Sequence, residues 1–155
     1  MQQLKELITT ANKHIRTADH LAYMTYPLIK DPKLIIKIAE HVYHAMKVGI
    51  EAVVFYERLY KRISQVGDEF TAKYDLFKTK CAKRYAIDST QILAFEDLNT
   101  ILKEHKDSQV SFIREQKLVI CSDQFQNIRT LTIERVKTFL NLAKQFIVKT
   151  NQIVR

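Results

Sequence analysis

Turn-making residues are nearly missing from this chain: Pro27, Pro32, Gly49 and Gly67 are its only prolines and glycines in 155 residues. Such residues make tight turns and end helices. Their scarcity argues against a compact all-β or doubly wound α/β fold and predicts a few long helices joined by polar connections. At this length one domain spanning residues 1–155 is expected, able to bury roughly 68–70% of its unfolded surface without a staple.

The apolar rhythm agrees with a helical reading. Leu4, Ile8, Ala11, Ile15, Ala18 and Ala22 step by four and three, which predicts a helix to about Tyr23, closed by Tyr26-Pro27 because a residue before proline leaves the α region. Asp31-Pro32 restarts the chain as an N-cap followed by proline at the first helical position. From there Ile35, Ile38, Val42, Ala45, Gly49, Ala52, Tyr56, Leu59 and Ile63 keep the rhythm without a slip. A single helix over 32–64 would be about 50 Å long, against a diameter of about 40 Å for a sphere of this mass. The bundle is therefore expected to be elongated, to bend near Gly49, or to cover the protruding end with a second copy. The small residues Ala45, Gly49 and Ala52 would admit a close helix, from the same chain or from that second copy.

Gly67-Asp68 is expected to end the central segment, and Phe70, Tyr74, Phe77, Cys81 and Tyr85 line the next helical face. Asp88-Ser89-Thr90 caps a fourth helix reaching about His105. The period then changes. Lys117–Ser122 and Ile128–Thr132 are short and rich in β-branched residues, separated by the polar stretch 123–127, and read as a hairpin, with Ser111–Arg114 a candidate third strand. Thr132 caps a last helix with Ile133, Val136, Leu140, Ala143, Ile147 and Thr150 on its seam. The expected fold is mainly α: an elongated up-and-down bundle of about five helices with a small β-hairpin inserted before the last.

The formal charge of +8 is unevenly placed. Residues 124–155 hold six basic residues against Glu134 alone, and 76–87 hold Lys78, Lys80, Lys83 and Arg84 with no acid. Residues 86–107 hold five acids against Lys103 and Lys106. Either one surface attracts a polyanion, or the acidic helix lies on its basic neighbours. Lys78, Lys80, Lys83 and Arg84 beside Tyr85, with Lys137 and Lys144 of the last helix, are the candidate nucleic-acid contacts. No apolar run reaches membrane-spanning length, and no membrane partner is expected. Two cysteines without a paired spacing, Cys81 and Cys121, and an amino terminus without a signal-peptide pattern fit a reducing cytoplasm.

No residue set fixes a reaction. Both cysteines fall at packing positions, and two glycines cannot build a phosphate loop. His41 and His44 are three apart on the central helix, with His41 on its apolar flank and His44 on its polar side. His14 holds a matching flank position on the first helix. A His14/His41 contact is thus the one metal-ligand pair to weigh, the bland alternative being a partly buried His41 bonded to another helix and a solvated His44.

The stretch Ala39-Glu40-His41-Val42-Tyr43-His44-Ala45-Met46-Lys47-Val48-Gly49-Ile50-Glu51-Ala52-Val53-Val54 resembles the central helix of HEPN-type domains. The resemblance implies an up-and-down helical bundle, commonly dimeric, of a group that includes RNA-cleaving toxins, antitoxin partners and nucleotide-binding modules. That group's ribonuclease motif sets four to six residues between an arginine and the histidine that follows it. Here Arg16 and His20 have three residues between them, so no catalytic residue carries over. The reading is a non-catalytic binding or assembly module without a cofactor, its partner a second copy of itself, with a further protein or RNA as other candidate partners. One alternative is an RNA-binding protein, conceivably a ribonuclease or toxin–antitoxin component; the other is a metal-dependent helical enzyme using His14 and His41.

Overall fold

The structure, a computed structural model, describes residues 1–64, 67–107, 110–114, 117–121 and 128–154; of 107, 110–114, 121, 128 and 129 it describes the backbone alone. Five helical rods form an up-and-down bundle. The first joins α1 (Gln2–His20), a π turn (Leu21–Thr25) and α2 (Tyr26–Ile29). The second is α3 (Lys33–Leu59), and the third joins α4 (Phe70–Leu76), a π turn (Phe77–Cys81) and α5 (Ala82–Arg84). The fourth is α6 (Ser89–Asp107) and the last α7 (Ile133–Ile153). Between α6 and α7 lie β1 (Val110–Arg114), β2 (Lys117–Cys121) and β3 (Ile128–Leu131), antiparallel in the order β1-β2-β3. The hairpin expected before the last helix is present, Ser111–Arg114 falls in its third strand, β1, and the loop at 122–127 lies outside the described residues.

The central rod is α3, which packs on α1 and α7 most extensively and on α4, α6 and β2 as well. Ile35, Ile38, Val42, Ala45, Gly49 and Ala52 are buried, as their spacing predicts, and so is a second column of Ile36, Ala39, Met46, Ile50 and Val53. Apolar positions on most of its circumference are what an enclosed helix requires. Gly49 lies against α7, where a Cβ would come within 2.9 Å of Phe146 and 3.0 Å of Ile147. The small-residue seam is therefore filled from within the same chain. From α7 come Val136, Phe139, Leu140, Ala143, Phe146 and Ile147, and from the sheet Leu118, Ile120 and Leu131.

Helix ends depart from the sequence reading. The helix expected over 32–64 stops at Leu59, so its 27 residues span about 40 Å, no longer than the domain. It closes in a Schellman arrangement: Lys61 adopts a left-handed conformation, its N–H bonds to the Arg58 carbonyl, and the Arg62 N–H bonds to the Glu57 carbonyl. Ala86 closes α5 in the same way through the Ala86 and Ile87 amides, and Lys30 ends α2. Neither glycine has a positive φ; non-glycine residues make these stops.

Tyr26-Pro27 does not close the first helix, because the π turn admits the proline. The Tyr26 amide bonds back to Leu21, five residues away, which relaxes the turn where the proline ring would crowd a carbonyl. The same turn adjusts register. Buried Leu4, Ala11 and Ala18 are seven apart, whereas buried Tyr26 is eight beyond Ala18, and the wide turn absorbs the extra residue. Two caps are as expected, Asp88 accepting from the Thr90 amide and Thr132 from Arg135; at α3 the N-cap is Pro32, one position later than expected, and Asp31 just before it accepts from the Lys33 amide. Among the described residues no helix is long and apolar enough to cross a membrane.

Candidate functional site

Three of the five histidines, His14, His41 and His44, gather where α1 meets α3. The Nδ1 atoms of His14 on α1 and His41 on α3 are 3.0 Å apart, so one ring donates its proton to the other's lone pair, whichever tautomer holds it. The His44 ring lies 5.7 Å from that of His14, centre to centre, and is exposed, while His14 and His41 are half-buried. All three have lowered pKa values. Burial is the main cause in each; His41 and Lys13 add to it at His14, and His14 and Lys47 at His44. At His41, Glu40 opposes the shift, while His44 and Lys37 add to it.

His44 also forms one edge of an open groove of about 690 Å³ in which Glu40, Tyr43 and His44 of α3 face Asn99, Lys103, His105 and Lys106 of α6. Tyr43 and Asn99 pass this groove into a neighbouring depression of about 360 Å³ over Phe70, Tyr74 and Phe95. In its floor Tyr43 stacks on Phe95 with centroids 5.1 Å apart and planes 8° from parallel. Lys47 lies 5.0 Å from the Phe70 centroid. The Tyr74 hydroxyl is buried without a hydrogen-bond partner among the described residues, and burial, then the nearby Glu96 carboxylate, raises its pKa. The helix pattern places each of these residues, but the groove itself depends on how α3 and α6 are set against each other.

The basic residues chosen from the sequence divide into engaged and free. Lys78 bonds Glu96 at 3.3 Å and approaches the Tyr74 ring. Arg84 bonds Glu57 at 2.8 Å, and the Tyr85 hydroxyl donates to the same carboxylate. Lys144 pairs with Asp19, and the Lys137 and Lys144 ammonium groups lie 4.9 and 5.3 Å from the Tyr23 ring centre. Among the described residues Lys80 and Lys83 are exposed and in no ion pair. The structure thus spreads these residues over two places, the α4–α5 rod and the face shared by α1 and α7.

Glu57 is the group that sequence reasoning missed. Only 1% exposed, it receives Arg84 and Tyr85 from the third rod and Arg62 at 3.7 Å from the turn after α3. A buried carboxylate persists where such partners replace water. The available signal was its position: Glu57 follows Val53 by four residues and Ile50 by seven, in the buried column. Tyr85 is correspondingly pushed up to about 12, by burial first and then by its bond to Glu57. This arrangement is a tie between rods, with its donors directed at Glu57.

Cys81 is buried, and its thiol is pushed up to about 11, mainly by burial and further by Glu57; such a thiol is a packing group. The side chain of Cys121 lies outside the described residues. Among the described residues no three His, Cys, Asp or Glu side chains are grouped closely enough to hold a metal ion. The His14/His41 contact expected from the flank positions is there as a pair of rings. No family model matches the chain, and no curated protein and no solved structure matches it.

Proposed function

We propose that this chain is a non-catalytic helical-bundle binding module and that its ligand seat is the groove between α3 and α6. The observation that carries this reading is the groove's composition: the Tyr43 ring, stacked on Phe95 of the adjoining depression, beside the amines of Lys103 and Lys106 and the imidazole of His44, with Glu40 the one carboxylate among its lining residues. Flat apolar surface next to a few polar and cationic groups suits a ligand with a negatively charged part and an apolar or aromatic part. The groups with chemical potential elsewhere are engaged in packing, which supports binding over catalysis. A second copy is not needed for this reading, since α3 is no longer than the domain and its small-residue seam is filled by α7.

RNA is the second reading, favoured by the exposed Lys80 and Lys83 and the chain's charge of +8. Two probes separate them: a short oligouridylate and a polyglutamate peptide, each titrated into the full chain while backbone amide resonances are followed. The groove predicts shifts at Tyr43, Asn99 and Lys103 that vanish in Lys103→Glu/Lys106→Glu. RNA binding through the third rod predicts shifts around Lys80 and Lys83 that weaken steeply with salt. No shift with either probe, or shifts unaffected by both charge reversals, removes the groove reading.

A further inference from the structure

The end of the bundle where the first rod turns into α3 carries Leu28, the most exposed large apolar side chain among the described residues, with three more exposed ones close by in sequence. Leu28 is 85% exposed, Ile29 62% and Met24 60%, with Tyr23 at 43% beside them. All four fall within seven residues, in the π turn and the single helical turn after it, while Tyr26 between them is buried. Exposed leucine and isoleucine side by side on a short convex tip are costly in water and mark a surface that meets something.

Charge decides what that something is. Lys30 and Lys33 are exposed and follow the tip directly, and Lys137 lies over the Tyr23 ring. None of these three lysines is in an ion pair among the described residues. Nearby, the Asp31 carboxylate accepts from the Lys33 amide and Asp19 pairs with Lys144. A second copy docking here would set one cationic rim against another. A fluid anionic surface needs no preformed pocket for a protruding tip and neutralises the rim, with tyrosine and lysine at the depth of the headgroups.

We infer that this tip adsorbs to anionic lipid bilayers, inserting Leu28 and Ile29 among the acyl chains while Lys30, Lys33 and Lys137 contact the headgroups. Adsorption of this kind is independent of a membrane-spanning helix. It is also independent of the α3–α6 groove.

The test is co-sedimentation of the full chain with phosphatidylcholine vesicles, with and without phosphatidylserine. Binding is expected with the serine lipid and to fade with salt. Leu28→Ser/Ile29→Ser is expected to weaken it by about tenfold or more, since each buried methylene counts. Lys30→Asn/Lys33→Gln is expected to weaken it about fivefold per lysine. These positions are exposed, and far-ultraviolet circular dichroism checks that both variants keep the fold. Failure to sediment with serine-containing vesicles overturns the inference, as does a Leu28→Ser/Ile29→Ser variant that binds like the parent. Light scattering that shows a dimer abolished by the same variant assigns the tip to a second copy instead.

Discussion

The Arg84 guanidinium meets the Glu57 carboxylate at 2.8 Å across 27 positions of sequence, joining the last turns of α3 to α5. Glu57 is buried while Arg84 remains nearly half exposed, so the carboxylate bears the larger cost of desolvation. Arg84→Ala leaves it with Arg62 and Tyr85 alone and is expected to destabilise the fold by about 1.5–3 kcal/mol. Glu57→Leu with Arg84→Met is expected to recover most of that loss, because an apolar pair leaves no buried charge behind. Urea denaturation of the single and double variants measures both; a double variant as unstable as Arg84→Ala contradicts the account.

Gly49 is a contact residue. Alanine there gains about 1 kcal/mol of helix propensity, but its methyl would enter the space of the Phe146 ring and Ile147, and overpacking costs about 1–3 kcal/mol. Gly49→Ala is expected to destabilise by roughly 1 kcal/mol, and Gly49→Val by more. Thermal unfolding that shows Gly49→Ala to be stabilised would mean that α3 and α7 are set further apart.

The opposite sign is expected at the helix ends. Lys61 and Ala86 have φ of 54° and 52°, where a side chain costs about 1–2 kcal/mol. Glycine removes that cost and gives back part of it through a more flexible unfolded chain. Lys61→Gly and Ala86→Gly are each expected to raise stability by about 0.5–1 kcal/mol, read as a higher urea midpoint with an unchanged slope.

Acid should loosen the interface of α1 and α3. Folding holds His14, His41 and His44 below their ordinary value of 6.5, so the folded state favours the neutral rings. Their contribution is complete above that ordinary value and is lost as pH falls through the lower folded values. The surrounding charges are Lys13, Lys37 and Lys47 against Glu40. Urea midpoints measured from about pH 7.5 to about pH 5.5 should fall for the parent and fall less for His14→Gln/His41→Gln. Parallel curves would show that the pair does not couple to folding.

Much of this architecture is legible in the amino-acid order because buried helices repeat every three to four residues and strands alternate. The steps from Ile35 to Ala52 and from Val136 to Thr150 predict the faces that α3 and α7 bury. The flank positions of His14 and His41 predict their meeting. Helix ends were harder to read, since a left-handed lysine or alanine has no distinguishing side chain and the stops at Lys61 and Ala86 are made by backbone bonds. The tie at Glu57 is tertiary: Arg84 and Tyr85 read as a basic, aromatic stripe until α3 and α5 are brought together. The groove depends likewise on the setting of α6.

The π turn at Leu21–Thr25 makes chain length adjustable at that point. Removing one residue there would leave Tyr26 seven positions beyond Ala18, continuing the series begun by Leu4 and Ala11, so the inward face would survive as an ordinary α-helix. Pro27 would then lose its relaxed turn and crowd the preceding carbonyl. A shortened chain should accordingly tolerate the loss far better when alanine replaces that proline, an interplay between a deletion and a substitution that few other places in the molecule would show.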